Sequence, residues 1–168
     1  MEESPYLDGR EILIDKFQKL PFLDSLDIAQ VKSVLRLSKI RKFEPGEVIT
    51  AEGTYDSWLY IMLSGTVRVL KQKQEIARLD QVGDTFGEMA AIDGKRRSAT
   101  VQAVHNTVCL AVDADQLNRG ENSQERCVFF SIFYRLFAEL IAQRLRHANE
   151  ELIELRREVE RLKRDKGH

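Results

Sequence analysis

A mainly β domain with flanking helices, closed as a jelly-roll-like β-roll and continued by a long C-terminal coiled-coil helix, is the architecture this sequence predicts. Three observations carry that expectation. Between Lys42 and Val112 short apolar runs recur about every ten residues with glycines between them, the pattern of an antiparallel sandwich or barrel. Before that stretch, apolar residues fall at helical spacing up to about Ile40. Past Asp113 the helical period returns and runs from about Asn122 to Lys166, well beyond the roughly 8 to 20 residues of most globular helices.

The chain has 168 residues, 43% hydrophobic and 32% charged, with a formal net charge of −1. This length is near one typical domain, and the apolar content suffices for a core. With 3 Pro and 9 Gly the chain is neither collagen-like nor low-complexity, and no apolar run approaches the roughly 18 residues a membrane helix needs. Met1-Glu2-Glu3-Ser4-Pro5 is acidic where a secretory signal is basic and then apolar, which points to the cytoplasm. Cys109 and Cys127 have no His or Cys at metal spacing; they read as buried small apolar residues, and no metal is expected. Near-neutral charge removes the electrostatic footprint of a dedicated nucleic-acid binder.

In the N-terminal part, Leu20-Pro21-Phe22-Leu23-Asp24 breaks any helix from Ile12 to Leu20. Asp27 then caps a helix carrying Ile28, Val31, Val34, Leu35 and Leu37 on its apolar face. The predicted strands are Val48-Ile49-Thr50, Trp58 to Leu63, Thr66 to Leu70, Glu75 to Leu79, Ala99 to Ala103 and Val108 to Val112. Pro45-Gly46 and Ser64-Gly65 supply tight turns, and closing the strands into a roll removes exposed edges.

In the C-terminal part, Asn118-Arg119-Gly120 marks a break before the long helix. Leu145, Leu152 and Val159 fall at heptad position a, and Ala148, Leu155 and Leu162 at d. Glu151, Glu158 and Asp165 fall at g, while Arg156 and Lys163 fall at e. A parallel homodimer sets Glu151 against Arg156 of the second copy and Glu158 against Lys163; an antiparallel one opposes like charges. Each exposed pair is worth only about 0.3 to 0.5 kcal/mol, so the charges choose orientation and the leucine seam supplies the association energy. Ahead of the seam, Val128 to Leu140 is apolar on more than one face, one to dock on the β unit and one to extend the dimer contact.

The stretch Gly83-Asp84-Thr85-Phe86-Gly87-Glu88-Met89-Ala90-Ala91, followed by Ile92 to Val101, interrupts the β pattern. A helical turn starting near Gly87 presents unpaired backbone N–H groups suited to a phosphate, and Arg97 adds a bidentate guanidinium. Glu88 suits a sugar hydroxyl better than an anion, and phosphate plus ribose means nucleotide. The competing reading is an Arg97–Glu88 salt bridge that merely holds the loop. His105, His147 and His168 are scattered, and no Ser–His–Asp spacing or phosphate-cradling P-loop is present. No metal ligands or positioned base for phosphodiester hydrolysis are visible, so the chain is not expected to be an enzyme.

The runs Phe43-Glu44-Pro45-Gly46-Glu47-Val48-Ile49, Glu52-Gly53, Leu59 to Val67, Gly83-Asp84 and Phe86-Gly87-Glu88 together resemble the cyclic nucleotide-binding domain family, over roughly residues 20 to 140. The likeness is to the sensor domain of the bacterial catabolite activator and of cyclic-nucleotide-regulated kinases and channels. It implies that Gly87 and Glu88 contact the ribose 2′-hydroxyl. It implies too that Arg97 and the backbone N–H groups of Ala90 and Ser98 hold the cyclic phosphate. Val69 is then the apolar residue under the base, and the helix around Phe129 to Phe137 the lid. Arg96 departs from the family, standing where many members have proline, and makes the mouth more positive. Relatives that regulate transcription continue into a helix-turn-helix, whereas this sequence stops at His168, so no DNA-binding domain is expected.

Residues 1–140 are thus expected to form the cyclic nucleotide-binding domain with its helices, and 141–168 the dimerisation helix. The expected ligand is cyclic AMP or, less readily, cyclic GMP, with occupancy transmitted to a parallel helix pair. The alternative is a ligand-free β-roll scaffold whose coiled coil serves as an assembly module.

Overall fold

Two antiparallel sheets, face to face, make up most of the first of two units into which the chain divides, Met1–Phe130 and Ser131–His168. The computed structural model describes residues 1–7, 17, 26–115 and 123–165. The five-stranded sheet holds β1 (Glu2–Glu3), β2 (Ser38–Phe43), β9 (Thr107–Asp113), β4 (Trp58–Ser64) and β7 (Thr85–Phe86), in that order. The four-stranded sheet holds β3 (Val48–Thr50), β8 (Thr100–Ala103), β5 (Val67–Lys71) and β6 (Gln74–Leu79). Helix α1 (Ile28–Arg36) precedes β2, the short α2 (Glu88–Asp93) follows β7, and α3 (Ser123–Asp165) follows β9.

The inner faces of the sheets meet in one apolar core. Phe43, Tyr60, Met62, Phe86, Cys109 and Ala111 come from the first sheet, and Val67, Val101 and Ala103 from the second. Tyr60 stacks on Phe86 with centroids 5.1 Å apart and meets Phe43 edge-on at 6.2 Å. The other face of the first sheet is covered as well, because Leu59, Ile61, Leu110 and Val112 are buried too. This explains why β4 and β9 read as continuous apolar runs and not as alternating ones. β6, by contrast, is an exposed edge strand with charges along it.

The predicted strands lie where the periodicity put them, within a residue or two. The N-terminal helix is capped as expected, with the Asp27 carboxylate accepting Gln30 N–H and the Gln30 side chain returning to Asp27 N–H. It ends at Arg36, however, and not near Ile40. Ser38 to Phe43 instead form β2, paired residue by residue with β9 from Ser38↔Val112 to Phe43↔Thr107. Local helical spacing loses there to a ladder supplied by a strand some seventy residues away. β1 and β7 were not predicted, since two residues each carry no readable alternation. The predicted helix from Ile12 to Leu20 and its break lie outside the described residues except for Phe17, and the break at Asn118-Arg119-Gly120 lies outside them altogether.

In the second unit α3 continues as one helix, 43 residues long in all. Phe133 and Phe137 touch edge-on at 5.5 Å. Further along, Leu145, Leu152, Leu155, Val159 and Leu162 are all exposed. Among the described residues no helix is long and apolar enough to cross a membrane.

The β4–β5 turn depends on Gly65. Its φ is +105°, and a Cβ there would lie 2.6 Å from both the Asn106 carbonyl oxygen and Thr107 Cα. Gly65→Ala should therefore lower stability by about 2 to 4 kcal/mol, read as a drop in the denaturant midpoint. An unchanged midpoint would show that this turn relaxes freely.

Candidate functional site

The site is organised by a buried cation. Arg97 leaves the loop between α2 and β8, where its carbonyl accepts Gly53 N–H at 2.9 Å and its own N–H donates to Thr54 O at 2.8 Å. Its side chain retains 3% of its exposure, and burying a guanidinium is costly unless its N–H groups find partners. Here they do. Nε donates to Asp56 Oδ2 at 2.8 Å, Nη2 to Asp56 Oδ1 and to Trp58 O at 2.5 Å, and Nη1 to Gly87 O at 2.8 Å. The Asp56 carboxylate is itself positioned by the Trp58 N–H at 3.0 Å.

Gly87 is required twice over. It caps α2 in the left-handed region at φ 85°, which a side chain strains. A Cβ there would also collide with Arg97 Nη1 and lie 2.9 Å from Trp58 O. Glycine thus lets the helix start pass directly over the guanidinium.

The remaining residues expected from the sequence gather on the elements around this contact. Glu88, the first residue of α2, is buried at 4% exposure. Ala90, two residues on, is buried, and its N–H belongs to the first turn, which no helical carbonyl reaches. Ser98 is exposed; its carbonyl accepts Lys71 Nζ at 2.6 Å and its hydroxyl lies 3.6 Å from Met89 Sδ. Val69 is half-buried on β5, opposite Val101 on one side and Ala77 on the other. Arg96 is exposed, with its guanidinium 5.0 Å over the Tyr55 ring and bonded to Gly53 O at 3.0 Å.

Three contributors were missed in the sequence. Asp56 supplies the carboxylate that closes on Arg97, from a loop 41 residues upstream. Trp58 supplies a backbone carbonyl, which no side-chain pattern reveals. Lys71 ties β5 to Ser98 and pairs with Glu52 at 2.7 Å; the lysine holds the Glu52 carboxyl below its usual range. The one available signal was charge balance, since a buried arginine next to a glycine turn calls for a carboxylate partner.

Neighbouring groups are inert at neutral pH. Burial pushes the Tyr60 phenol up to about 12, so it stays neutral and accepts Arg41 Nη1 at 2.7 Å. Burial likewise pushes the Cys109 thiol up to about 12, as the reading of a small apolar core residue implies. The Cys127 side chain lies outside those described, and His105 is an exposed residue of the β8–β9 turn. Among the described residues no group of three His, Cys, Asp or Glu is placed to hold a metal.

Comparison with known proteins identifies the domain. The model of the cyclic nucleotide-binding domain matches residues 40–120. A cGMP-dependent protein kinase of Eimeria tenella is 33% identical over 111 residues, which are 66% of this chain and 11% of that protein. The chain thus spans about a tenth of the length of such curated relatives. Among solved structures, the catabolite activator protein of Thermus thermophilus superposes with a TM-score of 0.64 at 29% identity, covering 80% of this chain and 62% of that one. The regulatory subunit of a cAMP-independent protein kinase A from Trypanosoma brucei gives 0.58 at 28% identity, covering 62% and 39%. Residues 40–120 therefore belong to the cyclic nucleotide-binding domain family.

Proposed function

We propose that this chain is a regulatory module that binds a cyclic nucleotide, cyclic AMP or cyclic GMP, and does no chemistry on it. The reading rests on Arg97, a buried guanidinium held at the glycine start of α2 and beside the carbonyl-tethered Ser98. The residues fit the ligand chemically. A cyclic phosphodiester carries one negative charge and two free oxygens, which match a planar guanidinium and the backbone N–H groups of Ala90 and Ser98. Glu88 and Gly87 are assigned to the ribose 2′-hydroxyl, a donor for a carboxylate or carbonyl. Val69 is assigned to the face of the base.

Binding competes with the groups that already hold Arg97, namely Asp56, Trp58 O and Gly87 O. The phosphate draws donors away from acceptors that already hold them, so the ligand is worth less than an unpaired arginine would give, and the protein has two states to choose between. Occupancy is in our reading transmitted to a parallel homodimer of C-terminal helices, with Leu145, Leu152, Val159, Leu155 and Leu162 as its seam. Their exposure on a single chain supports this, because such a stripe is costly in water. A second reading, the ligand-free scaffold, is favoured by one observation only: Arg97 is satisfied from within the protein.

Calorimetric titration with cyclic AMP and with cyclic GMP separates the two. Binding of either, with Arg97→Ala losing about 2 to 5 kcal/mol, supports the sensor; no heat from either nucleotide supports the scaffold. Gly87→Ala keeps the guanidinium and displaces it, so affinity should fall about tenfold or more, a cost of roughly 1.4 kcal/mol. In light scattering the chain should be dimeric at micromolar concentration and Leu152→Ser with Leu155→Ser monomeric. A monomeric parent chain removes the dimer from the proposal and leaves the site untouched.

A further inference from the structure

A second charged cluster lies on the five-stranded sheet, and the nucleotide reading gives it no task. Residues Glu2 to Leu7 run along β2, starting with β1, where Glu2 lies opposite Lys42 and Glu3 opposite Arg41. Ser4 N–H donates to Ile40 O at 2.8 Å and Leu7 N–H to Ser38 O at 3.0 Å, and the Leu7 side chain is buried. The Glu3 carboxylate accepts Lys39 Nζ at 2.8 Å and Arg41 Nε at 3.0 Å. Arg41 in turn lies with Cζ 3.7 Å from the centroid of the Trp58 ring. The Tyr6 hydroxyl donates at 3.1 Å to Asp113, the residue facing Trp58 across β4 and β9.

Trp58 therefore has two sets of obligations. Its ring carries the Arg41 cation that Glu3 holds, a cation–π contact strengthened by the near-burial of Arg41. Its backbone belongs to the Arg97 site, with the N–H on Asp56 and the carbonyl on Arg97. A guanidinium has five N–H groups, and among the described residues those of Arg97 make four hydrogen bonds. An anion bound through two of them must take at least one from Asp56, Trp58 or Gly87.

We propose that Trp58 is a positioning residue that links the N-terminal segment Glu2–Leu7 to the anion site. The docked strand fixes Arg41 on the Trp58 ring and so favours Arg97 held by Asp56 and the Trp58 carbonyl. An anion that draws Arg97 off this latch frees the Trp58 backbone, shifts the ring under Arg41 and loosens the strand. Because linkage is reciprocal, weakening the strand must strengthen the anion by the same factor. This inference rests on the reading that a cyclic nucleotide binds at Arg97.

The chain has one tryptophan, so its emission reports Trp58 alone. The test uses the full chain, titrated with cyclic AMP and cyclic GMP by calorimetry, with emission and amide exchange of Ser4 and Leu7 followed in parallel. A nucleotide that binds should change the emission and speed exchange at both amides. Glu3→Gln should bind that nucleotide about fivefold more tightly. Its ligand-free emission should already be moved toward the liganded value. Glu2→Gln is the control for net charge, since the Glu2 partner Lys42 is exposed at 3.7 Å and not against Trp58; its affinity should match the parent. Heat of binding without a change in emission or exchange overturns the link and leaves the site standing. So does an affinity gain that is absent in Glu3→Gln or equal in Glu2→Gln. No heat with either nucleotide overturns the site reading and the link with it.

Discussion

A positive charge taken out of water governs this protein. Once the chain commits the Arg97 side chain to the interior, its N–H groups must be met there, and the loop before β4 and the start of α2 are shaped to meet them. Asp56 supplies the counter-charge, while Trp58 and Gly87 supply carbonyls. The absence of a Cβ at Gly87 follows from the same demand, since the guanidinium occupies that space. The same crowding ties Arg97 to Asp56, Trp58 and Gly87 at once, so moving its guanidinium means breaking hydrogen bonds on both the β4 approach and the α2 start.

The sheets provide the rigidity that such a charge requires. β4 is buried on both faces and paired to β9 along its length, so Asp56 and Ser57 lead directly into a strand held on all sides. That approach holds the carboxylate and carbonyl for Arg97 on one side and the aromatic ring for Arg41 on the other. The Arg97 site and the N-terminal segment thus share Trp58, the first through its backbone carbonyl and the second through its ring. Within the first unit β6 is an exposed edge strand, and within the second the Leu145, Leu152, Leu155, Val159 and Leu162 stripe of α3 is exposed.

Much of this was legible in the order of residues. The strand runs, the capping of α1 by Asp27, the turn helix after Gly87 and the long C-terminal helix all follow from period and punctuation. Gly87, Glu88, Ala90, Arg97 and Ser98 stand out because they lie within a dozen residues and break a regular pattern. The failures share one cause. Ser38 to Ile40 carry helical spacing yet become strand because β9 offers a complete ladder. Asp56 looks like an ordinary loop acid, and Trp58 contributes through backbone atoms that every residue possesses.

What the sequence determined by itself is what neighbours along the chain enforce: the period of apolar side chains, the caps, the glycines at positive φ and the residue types gathered between Gly83 and Val101. Only the tertiary structure decided which carboxylate faces Arg97, that α1 stops at Arg36, and that Glu3 and Arg97 converge on one tryptophan. Those outcomes depend on groups far apart in the chain being brought within hydrogen-bond reach, 41 residues apart for Asp56 and Arg97, 39 for Trp58 and Arg97, and 38 for Glu3 and Arg41. The cost of a buried charge selects among such partners only after the sheets have closed.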